Sequence, residues 1–131
     1  MTNTPQLPRR ARRLPPRPAW LTPAEQSRLD RFRIRVREAF GRELLDLRLF
    51  GSRARGEGHP ESDLDVLVVL QTRDGDRWDR VLDLENEIFV EDGYPLQGQI
   101  SPRVLSRAQW KFLVDRERLL AREIQAQGIP L

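Results

Sequence analysis

Residues 50–70 read FGSRARGEGHPESDLDVLVVL, and the order of residue types here decides the fold. One apolar run ends in Gly51-Ser52. Ten residues intervene, and Asp63-Leu64-Asp65 opens a second, β-branched run. Both runs predict strands, 44–50 from the alternation of Leu45, Leu47 and Leu49 with Asp46 and Arg48, and 64–70 as the central strand. Side chains two apart on a strand share a face, so Asp63 and Asp65 aim together. Two carboxylates on one rigid edge repel, which serves a fold badly. They suit Mg²⁺, a hard ion that takes one or two carboxylates and keeps other positions for waters and phosphate oxygens. Gly51 lets the backbone come close to a phosphate, and free N–H groups opening a helical turn favour anions. Arg53 and Arg55 are candidates for charge-assisted hydrogen bonds to that phosphate.

The pattern G-S-x10-D-x-D, carried by Gly51-Ser52 and Asp63-Leu64-Asp65, resembles the DNA polymerase β-like nucleotidyltransferases, and most of all their minimal branch. The resemblance covers residues 21–131. It implies an α/β (α+β) fold, with a small mixed sheet flanked by helices. It implies ATP or another nucleoside triphosphate bound at Gly51, Ser52, Arg53 and Arg55, with Asp63 and Asp65 as catalytic metal ligands for Mg²⁺. The reaction implied is transfer of a nucleoside monophosphate, AMP from ATP, to a protein hydroxyl. Small members of this branch often resemble antitoxins whose partner is a HEPN-type toxin. A homo-oligomer is the other assembly left open.

One departure stands out. Active members carry a third carboxylate on the following strand. Read at residues 94–101, that strand offers Gln97 and Gln99 instead. Glutamine matches glutamate in shape but cannot act as a base and ligates metals weakly. The alternative function is therefore a catalytically inactive nucleotide-binding partner module. A nucleotide-sugar glycosyltransferase would also use D-x-D, but needs a longer chain and no Gly-Ser turn.

At 131 residues the chain fits one domain, which buries about two-thirds of its unfolded surface. The absence of cysteine excludes disulfides and thiolate metal sites. His59, the sole histidine, lies in a Gly/Pro loop as a solvated residue or a substrate contact. No run reaches the ~20 apolar residues of a membrane span and no signal core follows Met1, so a cytoplasmic protein is expected. The pI of 10.4 misleads. Five arginines and no acid lie in residues 1–24, and setting those five aside from 23 basic residues leaves 18 against 20 acids. The basic character belongs to residues 1–19, a Pro/Arg-rich arm expected to be disordered, with the domain at 20–131. Contact with nucleic acid is expected only at that arm.

Thr22-Pro23-Ala24-Glu25 combines a capping box with proline at the first helical position, and Gly41 marks that helix's end. Residues 31–37 alternate like a strand. The cap decides for helix and leaves Ile34 on a second side. A helix over 75–90 places Trp78, Val81, Leu82, Glu85, Ile88 and Phe89 at helical spacing. The strand at 94–101, led by Pro95, is expected at a sheet edge. Ser106 with Gln109 caps one last helix running to Gly128. Its face Trp110, Leu113, Leu120, Ala121, Ile124 must cover the sheet or a second subunit.

Overall fold

The computed structural model describes residues 18–57, 62–116 and 118–131. The expected basic arm (except for Pro18 and Ala19) and His59 lie outside the described residues. Helix α1 (Pro23–Phe40) starts at Thr22, whose side chain accepts from the Glu25 amide while Glu25 accepts in return from the Thr22 N–H. Strand β1 (Leu44–Phe50), the single turn α2 (Ser52–Arg55), β2 (Leu64–Leu70) and α3 (Gly75–Glu91) follow. The chain closes with β3 (Ile100–Ser106), α4 (Arg107–Asp115), α5 (Leu119–Gln127) and the short β4 (Ile129–Pro130).

The four strands form one mixed sheet in the order β3-β2-β1-β4. β1 runs antiparallel to β2 and β4, and β2 runs parallel to β3. The parallel step is made by α3, since parallel neighbours need a crossover. One sheet face, with Leu49, Leu64, Val66, Val68 and Val104, is covered by Leu29, Phe32 and Val36 of α1 and by Val81, Leu84 and Ile88 of α3. The other face, with Phe50, Leu67 and Val69, is covered by Ile124, Trp110 and Leu120. The face predicted on the last helical segment therefore covers the sheet. Each fully buried Leu, Val or Phe contributes roughly 1.5–3 kcal/mol over leaving it exposed.

Four expectations need correction. Residues 94–99 are not strand. Gly93, Tyr94 and Gly98 all take positive φ (76°, 59° and 64°), which breaks an extended run, and β3 begins only at Ile100. It is still the edge strand, as expected. The last helix is two: the Arg118 N–H turns back to the Leu113 carbonyl (3.1 Å), and α5 swings so that Ala121 and Ile124 reach the sheet. After α5 the chain adds β4 beside β1, an element the sequence reading lacked. Leu45 is 45% exposed, because a register shift between Leu44 and Asp46 turns it outward while Leu44 packs against the core.

The helical reading of 31–37 holds, for a reason outside the local pattern. Arg31 and Arg35, one turn apart, reach Glu87, Glu91 and Asp92 at the end of α3. Arg28 lies deeper and donates to Asp92 (2.7 Å) and to the carbonyls of Gln97 and Gly98 (3.2 and 2.5 Å). That arginine fastens the 94–99 loop to α1. Ile34 is 45% exposed, on the second side expected for it.

Candidate active site

β1 delivers Phe50 opposite Asp65 in the antiparallel ladder, and the chain then turns at Gly51. Gly51 has φ 79° and ψ −163°, a region essentially confined to glycine. A Cβ there would lie 2.6 Å from Asp65 Oδ2. The Gly-Ser turn and the second aspartate, separate in sequence, are therefore in contact through a glycine that nothing larger can replace. α2 follows at once: the Gly51 carbonyl accepts from Ala54 N–H (3.1 Å) and Arg55 N–H (3.3 Å), and Gly56, left-handed at φ 76°, closes the turn. No described residue hydrogen-bonds the Ser52 hydroxyl.

Asp63 precedes β2 and is exposed, whereas Asp65 is half-buried on the strand. No described residue donates a hydrogen bond to either carboxylate. Burial pushes the Asp65 carboxyl above its usual pKa, the charge of Asp63 pushes it further, and Arg103 partly offsets both. A half-buried carboxylate with a like-charged neighbour and no donor is unfavourable unless a cation arrives. The donor set fits one hard divalent ion. Among the described residues, no three His, Cys, Asp or Glu side chains gather as a complete metal cage, so other ligands must complete the shell.

Arg53 points away from this pair. Its guanidinium donates to Glu25 (2.5 Å) and to the Ser62 carbonyl (3.0 Å), with both partners of the ion pair almost closed to solvent. Burial works against the Glu25 charge, yet the hydrogen bonds from Arg53 and Thr22 hold its carboxyl below the usual value. Trp20, a contributor the sequence reading missed, donates from Nε1 to the Arg53 carbonyl (2.6 Å) and lies over Gly56. Arg53 thus ties α1, α2 and the residue before Asp63 into one unit. Arg55 makes a 3.0 Å pair with the exposed Glu57. A cavity of about 600 Å³ opens behind α2, lined by Trp20, Glu25, Arg28, Arg53, Leu96 and neighbours, and neither aspartate borders it.

The place expected for a third carboxylate moves with β3. Gln97 is exposed and Gln99 donates to the Pro95 carbonyl (2.9 Å), both in the loop before the strand. The residue paired with Asp65 is Ser101, and Arg103 pairs with Leu67 one step further on the same face.

The nucleotidyltransferase domain model matches residues 29–124. The chain belongs to the nucleotidyltransferase domain family. A solved structure described as a minimal nucleotidyltransferase shares its fold, at 24% identity over 86% of this chain and 100% of its own, with a TM-score of 0.52. A toxin–antitoxin structure with AMP-PNP is similar at 20% identity over 76% of this chain and 68% of its own (TM-score 0.46). A mutant of the toxin–antitoxin MntA–HpeT is similar at 23% identity over 75% and 67% (TM-score 0.44). No curated protein matches in sequence. Among the described residues no helix is long and apolar enough to cross a membrane.

Near enough to feel the charge of Asp63, Glu85 is a carboxylate that the sequence reading passed over. It is half-buried on α3, and its carboxyl is pushed above the usual range by burial and then by Asp63. Helical spacing had placed Glu85 among apolar positions, and that misplaced charge was the signal available.

Proposed function

We propose that this chain is a Mg²⁺-dependent nucleotidyltransferase that moves AMP from ATP to a hydroxyl of a protein partner. The observation that carries this is the contact of the Gly51 backbone with the Asp65 carboxylate, which brings a phosphate-type turn and a cation-type pair to one point. Asp63 and Asp65 would hold Mg²⁺. When bound, the ion stabilises developing charge on the phosphoryl oxygens. Gly51 and Ser52 bind the triphosphate through the turn and the free hydroxyl. Arg53 acts as a positioning residue, fixing α2 against Ser62 and so against Asp63. In the transfer, the acceptor hydroxyl gives up its proton to water as its oxygen bonds to the α-phosphorus, and the bond to the bridging oxygen breaks so that pyrophosphate leaves with the electron pair.

A protein acceptor is favoured by Phe112 and Leu119, apolar side chains on the adjacent α4 and α5 that one small domain leaves 51% and 70% exposed. The resemblance of the motif to antitoxins of HEPN-type pairs points to a toxin as that partner, in the cytoplasm. A second reading, a nucleotide-binding module without transfer, is favoured by Ser101, Pro102 and Arg103 on β3, where no carboxylate lies. α-Labelled ATP incubated with the copurified partner separates the two. Label on the partner, lost in Asp63→Asn, supports transfer. Binding without label supports the second reading, and no binding of Mg-ATP overturns both.

A further inference from the structure

A triphosphate brought beside two aspartates carries more negative charge than one divalent ion cancels, so the site needs a cation of its own. Two arginines follow the Gly-Ser turn. Arg53 is spent on Glu25 and Ser62, with its side chain 5% exposed. Arg55 makes only an exposed pair with Glu57, a weak surface contact at the turn and not on the strands beside the aspartates. The third candidate comes from another strand. β3 runs parallel to β2 in a register that pairs Asp65 with Ser101 and Leu67 with Arg103, so Arg103 emerges on the sheet face of Asp65. It is exposed and has no hydrogen bond or ion pair with any described residue. An open hollow of about 490 Å³ along α4, beside Leu105, Gln109 and Phe112, leaves its guanidinium unpacked, and the charge of Arg103 already acts on Asp65.

We infer that Arg103 is the phosphate-binding arginine of this site, a cation supplied by the strand parallel to the one that carries Asp65. This rests on the nucleotide reading given above. A planar guanidinium can grip two phosphate oxygens at once, which a lone carboxylate pair cannot. Arg103 would thus hold the nucleotide without a metal, whereas Asp63 and Asp65 repel it until the metal is present.

The test is isothermal titration of ATP, with Mg²⁺ and again with EDTA, on wild type, Arg103→Gln, Arg103→Lys and Asp65→Asn. Arg103→Gln should weaken binding by about 10- to 100-fold in both buffers, the range of a hydrogen bond to a charged group. Arg103→Lys should fall between Arg103→Gln and wild type. In EDTA, Asp65→Asn should move the other way and tighten binding. Melting temperature should fall only slightly in Arg103→Gln, because the side chain is exposed and loses only its attraction to Asp65. Equal ATP affinity in wild type and Arg103→Gln would overturn the inference while leaving the site intact. Failure of wild type itself to bind Mg-ATP would instead overturn the nucleotide reading.

Discussion

Glu25→Gln removes one charge from the pair that joins α1 to the turn carrying Ser52, and its cost follows from the contacts. Glutamine keeps an oxygen for the Thr22 N–H, so the helix cap survives. The same oxygen can still accept from Arg53, which also keeps the Ser62 carbonyl, but the guanidinium remains as a buried charge without its counter-ion. Removing one partner of a fully buried pair costs about 3–5 kcal/mol. Here the cavity behind α2 borders both side chains and admits water, so roughly 2–3 kcal/mol is expected. For a domain of this size that lowers the melting temperature by roughly 8–15 °C. Thermal and urea unfolding followed by circular dichroism would measure it. Adding Arg53→Met should recover part of the loss, because the orphaned charge leaves with its partner. The sign in pH is also fixed. The folded Glu25 carboxyl lies below its ordinary value of 4.5, so its stabilisation is complete above that pH and lost as pH falls through the folded pKa. The gap between wild type and Glu25→Gln should therefore close in acid. A gap below about 0.5 kcal/mol at pH 7, within the range of an ordinary surface change, would refute the argument.

Gly51→Ala should destabilise the fold by about 1–3 kcal/mol through backbone strain and should also displace Asp65. Its cost should be smaller in an Asp65→Ala background, and equal costs in both backgrounds would show that the collision is relieved elsewhere. Removing residues 1–19 should barely move the melting temperature, whereas removal through Leu21 should lower it by several degrees. Leu21 is 2% exposed in the core and Trp20 caps Arg53, so equal melting of the two truncations would contradict that. Ser52→Ala should weaken ATP by about 10-fold or more and leave AMP nearly unchanged, as a hydrogen bond to a charged group would require. Equal losses for both nucleotides would place the phosphates away from this turn.

What was legible in the sequence was what local chemistry fixes. The Thr22 and Ser106 capping boxes mark the starts of α1 and α4, and the β-branched run at 64–70 is β2. Gly51 could be singled out, though for approach to a phosphate, while the structure adds its contact with Asp65. What was not legible depended on distant partners. Residues 94–99 alternate enough to suggest a strand, but Arg28, some seventy positions earlier, holds the Gln97 and Gly98 carbonyls in a loop. Arg53 beside a Gly-Ser turn suggests a phosphate ligand, and only the fold brings Glu25 to claim it. The break between α4 and α5 has no Gly or Pro to announce it. It follows from the need to cover Phe50 and Leu67 with Ile124.

Calorimetric titration of ATP with and without Mg²⁺, on wild type and Asp65→Asn, tests most directly whether the turn and the aspartates form one nucleotide–metal site. Wild type should bind only weakly in EDTA and much more tightly with Mg²⁺, while Asp65→Asn should lose the metal-dependent gain. The mutant should stay folded and melt no lower than wild type at pH 7. The raised Asp65 pKa means that its charge opposes folding above that pKa, and that the opposition vanishes as pH falls toward 3.8. Metal-dependent ATP affinity that is the same in wild type and a folded Asp65→Asn would contradict the account.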